Sequence, residues 1–153
     1  MKLTARSLAP FAVATLLVGA APSVAAADPA PSSHHVVITS TARVLKPQPN
    51  GTAIVTGTVD GTLGKGAVVS RRTTDGSRDE TSKGTMYFAR GSVRGTSVLE
   101  IERTGDRALV SGYLKVTGGT GRYVGARGRL AVRGAGDLTS QVITLTFKGH
   151  FTY

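Results

Sequence analysis

Apolar and polar residues alternate with a period of two along most of the chain after residue 33. The clearest case is residues 141–153, where every second position from Ile143 to Phe151 is apolar or glycine and the positions between are Thr, Lys or His. Glycine clusters interrupt this alternation about every 8 to 12 residues. No stretch after residue 33 has a helical period, so the pattern indicates an antiparallel all-β domain.

The alternation and the turn signals predict eight strands. They cover residues 34–44, 52–63, 67–74, 85–90 and 93–103, a sixth that begins at residue 107, and residues 127–133 and 141–153. The polar segment 75–83 is predicted to be a solvated loop, and residues 134–137 a turn. Eight strands favour closure into an antiparallel β-barrel, which leaves no exposed edge; a two-sheet β-sandwich is the alternative.

The fifth and sixth strands can be placed in register. The Gly-Asp pair at 105–106 suits a two-residue type II′ hairpin, because glycine accepts a positive φ at the first central position. This turn pairs Ile101 with Val110 on an apolar face and Glu102 with Leu109 on the opposite face. A slip of one residue would move the glutamates onto the apolar face, so the separation supports the register.

The first 27 residues have the composition of a secretory signal peptide. Lys2 and Arg6 precede the apolar run 11–21, and Ala25 and Ala27 supply the small residues of a cleavage site before Asp28. The run is too short to cross a bilayer. We therefore predict a secreted, extracellular protein with no membrane anchor after cleavage. Residues 28–33 would form a disordered linker, and residues 34–153 a single barrel domain.

The charge balance and the lack of cysteine limit the function classes. Without cysteine, the chain has neither disulfides nor a cysteine-type zinc site. Removing Lys2 and Arg6 from the 19 basic residues leaves 17 against 9 acidic ones, a net charge of +8. Such a charge attracts anionic polymers non-specifically, although scattered charges are also explained by solubility alone. We predict no specific nucleic-acid binding.

The densest glycine run is TGGTGRYVGARGRL, residues 117–130. We interpret it as a structural turn, in which Tyr123 and Val124 anchor the chain beneath the glycines. The spacing of its glycines does not match the G-x-G-x-x-G dinucleotide motif, and no helical pattern follows it. The glycines assigned to this turn are Gly118, Gly119, Gly121, Gly125 and Gly128.

This glycine run, with the segments GTVDGTLGKG and GSVRGT before it and the final alternating strand after it, resembles the allene oxide cyclase and dirigent-like superfamily of eight-stranded barrels. It is most similar to the secreted bacterial branch, described as allene oxide cyclase barrel-like. The resemblance covers about residues 34–153. The resemblance implies a lumen that binds an apolar or phenolic small molecule, and it makes a homo-oligomer, a trimer in the family, an expectation for this chain.

Three functions remain open from the sequence. The first is a barrel that binds a small apolar molecule, the second an isomerase or cyclase acting on a reactive intermediate, and the third a basic extracellular protein that binds anionic polymers. The isomerase hypothesis requires a polar or charged side chain inside the lumen, preferably beside Tyr or Arg. Catalytic residues are not identified, and we predict no metal and no cofactor. The predicted lumen residues are Leu99, Ile101, Val110, Leu114, Phe147 and Phe151.

The remaining ionisable residues are weak candidates for chemistry. Asp60, Glu100 and Glu102 fall on the face opposite the apolar one, which predicts a solvated outer surface. His34 and His35 are adjacent in a strand and therefore point to opposite faces, so they are a poor pair of metal ligands.

Overall fold

A computed structural model describes residues 32–45, 48, 50–74 and 78–153. Its strands form one closed antiparallel barrel in which each strand pairs with the next and β8 returns to pair with β1. This confirms the all-β eight-stranded barrel and excludes the β-sandwich. The strands are β1 (Ser33–Val44), β2 (Thr52–Gly61), β3 (Gly66–Thr74), β4 (Asp79–Phe88), β5 (Gly91–Thr104), β6 (Arg107–Gly119), β7 (Arg127–Asp137) and β8 (Val142–Thr152).

The predicted signal peptide lies outside the described residues, as does most of the predicted linker. Ser33, the last linker residue, is already in β1, where it pairs with Thr152. Within the described ranges, no helix has the length and hydrophobicity to cross a membrane.

The predicted register of the β5–β6 hairpin is confirmed. Ile101 pairs with Val110 and Glu102 with Leu109, as the alternation requires. Gly105 has a φ of 58°, while Asp106 is not among the described residues with a positive φ. This is the pattern of a type II′ turn.

Two predicted strand boundaries were wrong by more than two residues. β4 begins at Asp79, within the segment predicted to be a polar loop, and β7 continues to Asp137 through the residues predicted to be a turn. In β4 both faces are polar at first, since Glu80 and Ser82 point inward, so apolar alternation could not reveal the strand. In β7 the glycines pair with β6 on one side and β8 on the other, and the turn lies at residues 138–141.

The barrel is filled by side chains from every strand, and inward glycines make room for them. Ile38, Val59, Val116, Leu130, Val132 and Phe151 are among the side chains that are almost fully buried. A Cβ at Gly95 would lie 2.7 Å from Leu114 Cδ1. The glycine therefore lets a large residue of the next strand occupy the same layer of the lumen.

Aromatic residues close the barrel at the end where β6 meets β7. A single 3₁₀ turn, Gly121–Tyr123, begins at a glycine with a φ of 58° and carries Tyr123 inward. The Tyr123 ring lies edge-on to Tyr153 at 5.0 Å and to Phe88 at 6.0 Å. The anchoring role predicted for Tyr123 is confirmed. For Val124 it was wrong, because that side chain is 70% exposed.

Candidate functional site

A cavity of ≈ 80 Å³ lies inside the barrel, away from the aromatic end. A second cavity of ≈ 130 Å³ adjoins it, and Val44, Arg72, Ile101 and Ile143 line both. Leu138 and Gln141 of the β7–β8 turn also line the second cavity. The lumen is therefore closed at one end and approached from the other, which we call the mouth.

The predicted lumen residues are distributed along this axis. Leu99, Ile101, Leu114 and Phe147 line the inner cavity, and Val110 lines the mouth cavity. Phe151 is buried inside the barrel beside Tyr153, 5.2 Å between ring centroids, but it lines neither cavity. Ligand contacts by these six residues stay a prediction.

A charged cluster stands in the wall of the otherwise apolar lumen. Glu80 of β4 is only 1% exposed and lies between two arginines. Arg72 Nε of β3 is 2.9 Å from Glu80 Oε2, and Arg103 Nη2 of β5 donates a hydrogen bond to Oε1 at 3.4 Å. The arginine side chains are 24% and 50% exposed, so the cluster runs from the buried carboxyl towards solvent at the mouth.

One oxygen of Glu80 accepts no hydrogen bond from the described residues. Oε2 is buried, and although Arg72 Nε is close, the contact is an ion pair without hydrogen-bond geometry. A buried acceptor without a donor costs about 1–3 kcal/mol, and more when it is charged. Glu80 Oε2 is therefore the group in the cavity wall best able to gain from a hydrogen-bond donor on a ligand.

The electrostatics of Glu80 are set by opposing effects. Burial raises the pKa of its carboxyl, while the neighbouring charges of Arg72 and Arg103 lower it, and burial has the larger effect. The carboxyl therefore keeps a proton at a higher pH than an exposed glutamate does. A carboxyl in this state can donate a proton as well as accept a hydrogen bond.

Serines supply the other polar groups of the inner cavity. Ser40, Ser70, Ser82 and Ser97 all line it, and Ser97 Oγ donates to the Ser82 carbonyl oxygen at 3.4 Å. With aliphatic and aromatic side chains around them, they make a mostly apolar site with a few polar groups, as is common for small-molecule sites.

Sequence reasoning missed Glu80, Arg72 and the serines. The sequence pattern predicts a solvated loop at Glu80 and does not indicate that Arg72 faces the lumen. A signal was present: counting back from Phe88 in steps of two reaches Met86, Gly84, Ser82 and Glu80. Without the pairing of β4 with β3 and β5, nothing in the sequence showed that the strand continues through these polar positions.

The other ionisable candidates lie on the outer surface, except for His34, whose side chain is half-buried. Asp60, Glu100 and Glu102 are exposed, as predicted. His35 lies edge-on to His150 at 5.0 Å, whereas His34 stacks on Tyr153 at 4.2 Å near the closed end. No three His, Asp or Glu residues of the described ranges are grouped so that they could hold a metal ion.

The closed eight-stranded antiparallel barrel matches a dirigent-like fold. The chain is similar in structure to the pterocarpan synthase dirigent protein GePTS1, with a TM-score of 0.53 and 14% identity over 80% of this chain and 84% of that one. It also matches a pyocyanin demethylase with a TM-score of 0.41 and 15% identity, over 76% of this chain and 98% of that one. No protein-family model and no curated protein sequence matches the chain. At these identities the similarity concerns the fold alone.

Proposed function

We propose that the barrel binds a small molecule that has an apolar body and a hydrogen-bond donor. The observation that carries this proposal is Glu80 Oε2, a buried acceptor in the cavity wall that is ion-paired to Arg72 but accepts no hydrogen bond from the described residues. The apolar body would contact Leu99, Ile101, Leu114 and Phe147, and the donor would face Glu80. The mouth beside Arg103 and Leu138 provides the entry.

The proposal can be tested with two probes of similar shape. Phenol has a hydroxyl donor and toluene has none, so the ratio of their affinities measures the contribution of the donor. We expect this ratio to fall about tenfold in the Glu80→Leu variant, the size of one hydrogen bond to a charged group. NMR titration of both probes gives the four affinities, and an unchanged ratio contradicts the role of Glu80.

A pair of filling variants tests the cavity itself. Ser97→Phe places a ring in the inner cavity, whereas Ser111→Phe adds the same ring at an exposed position of β6. Only Ser97→Phe is expected to abolish binding of both probes. Mass spectrometry of molecules that co-purify with the wild-type protein would then identify the natural ligand class.

The charged cluster also supports a second candidate, an isomerase or cyclase that acts on a reactive intermediate. Glu80 meets the requirement for a charged side chain inside the lumen, beside Arg72 and Arg103. Protonated Glu80 would donate a proton to the intermediate, and the arginines would stabilise the negative charge left on the carboxylate. Glu80→Gln should then retain binding but lose turnover; turnover that persists in Glu80→Gln excludes Glu80 as the proton donor.

Secretion and assembly are also proposals. The composition of residues 1–27 supports export and cleavage before Asp28, and the glycine segment supports a place in the secreted, allene oxide cyclase barrel-like branch with its trimeric assembly. Amino-terminal sequencing of the exported protein tests the cleavage site, and light scattering of the purified protein tests the trimer.

A further inference from the structure

The outer wall of the barrel carries a groove on the face of the sheet opposite the lumen. It crosses β2 to β6 with a volume of ≈ 480 Å³. Three cations line it, Arg71, Lys83 and Arg94, together with the exposed side chains of Val69 and Tyr87, which are 44% and 52% exposed. We call these five residues the basic groove.

The strand register places the cations of the groove next to one another. Arg71 is directly opposite Lys83, and Arg94 is opposite Thr85, one diagonal step from Lys83. Directly opposed like charges destabilise a sheet. Among the described residues, no salt bridge to a carboxylate is seen for these three cations. The positive charge of the groove is therefore not neutralised within the described part of the chain.

Arg127, from the glycine run of residues 117–130, lies beside Arg94 at the edge of the groove. Gly118 is the partner of Arg94 across β5 and β6. A Cβ at Gly118 would lie 2.9 Å from Arg94 Nε and 3.3 Å from Arg127 Nη1. The two guanidinium groups therefore converge over a position without a side chain, and Arg127 comes from the same G-A-R-G sequence. Arg127 Nη1 also donates a hydrogen bond to the Ala126 carbonyl oxygen at 2.7 Å, so its remaining donors and those of Arg94 are the groups that can bind an anion here.

The same row of outward positions continues past the groove. Lys83 is opposite Thr96, Thr96 opposite Lys115, and Lys115 opposite Arg129. Cations therefore occupy four of the five outward positions along this line from Arg71 on β3 to Arg129 on β7, with strands about 4.8 Å apart. The outward carboxylates Glu100 and Glu102 lie further along β5, towards the mouth.

We infer that the basic groove and its continuation bind an acidic polysaccharide. The row of cations curves around a convex barrel, so a flexible chain can follow it, whereas a flat membrane or a stiff DNA duplex would meet only part of it. Tyr87 offers an exposed ring to the face of a sugar. The ring of Tyr113 is already covered by Arg129, whose guanidinium carbon is 3.6 Å from the ring centroid. Proteins that bind single-stranded nucleic acid stack successive bases on a series of exposed aromatic rings. The described residues do not present such a series beside the groove.

The test compares polygalacturonate, a carboxylated polysaccharide, with dextran, an uncharged one. The wild-type protein should bind polygalacturonate in a salt-dependent way and should not bind dextran. The triple variant Arg71→Gln, Lys83→Gln, Arg94→Gln should bind about tenfold more weakly. The control is Arg133→Gln, because Arg133 is an exposed arginine of β7 that pairs with Ser111 and Thr146, outside the groove, and its loss should change affinity by less than about twofold.

Two further measurements locate the site and define the partner. Amide chemical shifts of the wild-type protein should change at Lys83, Tyr87 and Arg94 on titration with polygalacturonate, which needs no variant to fold. Poly(U) RNA and phosphatidylglycerol vesicles serve as competing partners. The inference is overturned by equal binding to dextran, by equal losses in the triple and Arg133 variants, by shifts elsewhere, or by tighter groove-dependent binding of either competitor.

Discussion

Arg72 and Glu80 meet inside the barrel from diagonal positions on β3 and β4, with 2.9 Å between Nε and Oε2. Their neighbours in sequence point the other way: Arg71 is exposed on the outer wall, and Asp79 is also exposed. The consecutive arginines Arg71 and Arg72 therefore face the outer wall and the lumen, respectively. Arg72 neutralises a buried carboxyl in the lumen, and Arg71 contributes to the basic groove.

The pH dependence of stability should report the burial of Glu80. Burial raises the pKa of Glu80 in the folded protein above its ordinary value of 4.5. The stability that Glu80 contributes is therefore fully present below the unfolded-state pKa and is lost as the pH rises through the folded-state pKa. We expect the free energy of unfolding of the wild type, relative to Glu80→Gln, to fall from about pH 4 to pH 7. Urea denaturation of both proteins across this range measures the difference, which would rise instead if the arginines dominated.

Replacing Arg72 should cost more stability than replacing its neighbour. Arg72→Met leaves the buried carboxylate of Glu80 with only the longer contact to Arg103, so we expect a loss of about 1–3 kcal/mol at pH 7. The loss should be smaller near pH 4, where Glu80 is protonated. Arg71→Met, at an exposed position, should change the free energy of unfolding by no more than about 0.5 kcal/mol. Equal losses in the two variants would contradict the inward placement of Arg72.

Tyr123 and Val124, consecutive residues of the glycine run, should also differ in how much stability their substitution costs. Tyr123→Ala removes a ring that is 2% exposed and packs against Phe88 and Tyr153, so we expect a loss of about 3 kcal/mol or more. Val124→Ala, at a side chain that is 70% exposed, should cost less than about 0.5 kcal/mol. Thermal denaturation of the two variants measures the contrast, and a large effect at Val124 would mean that it anchors the turn after all.

At the mouth, the pKa of Asp137 should depend on Ser140. The Ser140 backbone N–H and hydroxyl both donate to Asp137 Oδ1, at 2.7 and 3.0 Å, and these hydrogen bonds lower the pKa of Asp137. Ser140→Ala removes only the hydroxyl, so we expect the pKa to rise while remaining below its ordinary value. A lowered pKa contributes stability above the unfolded-state pKa that is lost as the pH falls through the folded-state pKa. Carboxyl NMR titration measures the shift, with Ser111→Ala as the exposed control.

The sequence by itself determined the fold class and much of the local pairing. Period-two alternation requires strands, because successive side chains point to opposite faces. At the β5–β6 turn, the Gly-Asp pair and the position of the glutamates were enough to predict a register that the structure confirms. These properties depend on neighbours in sequence, so a single sequence contains them.

Only the tertiary structure decided where the charged site lies and which residues form it. In the sequence, Glu80 belongs to a polar segment that predicts a loop. The pairing of β4 with β3 and β5 makes this segment a strand and directs the Glu80 side chain into the lumen, between Arg72 and Arg103. The convergence of Arg94 and Arg127 over Gly118 likewise depends on residues 33 positions apart in the chain. Burial and cross-strand proximity arise only when the barrel closes, so no local pattern could reveal them.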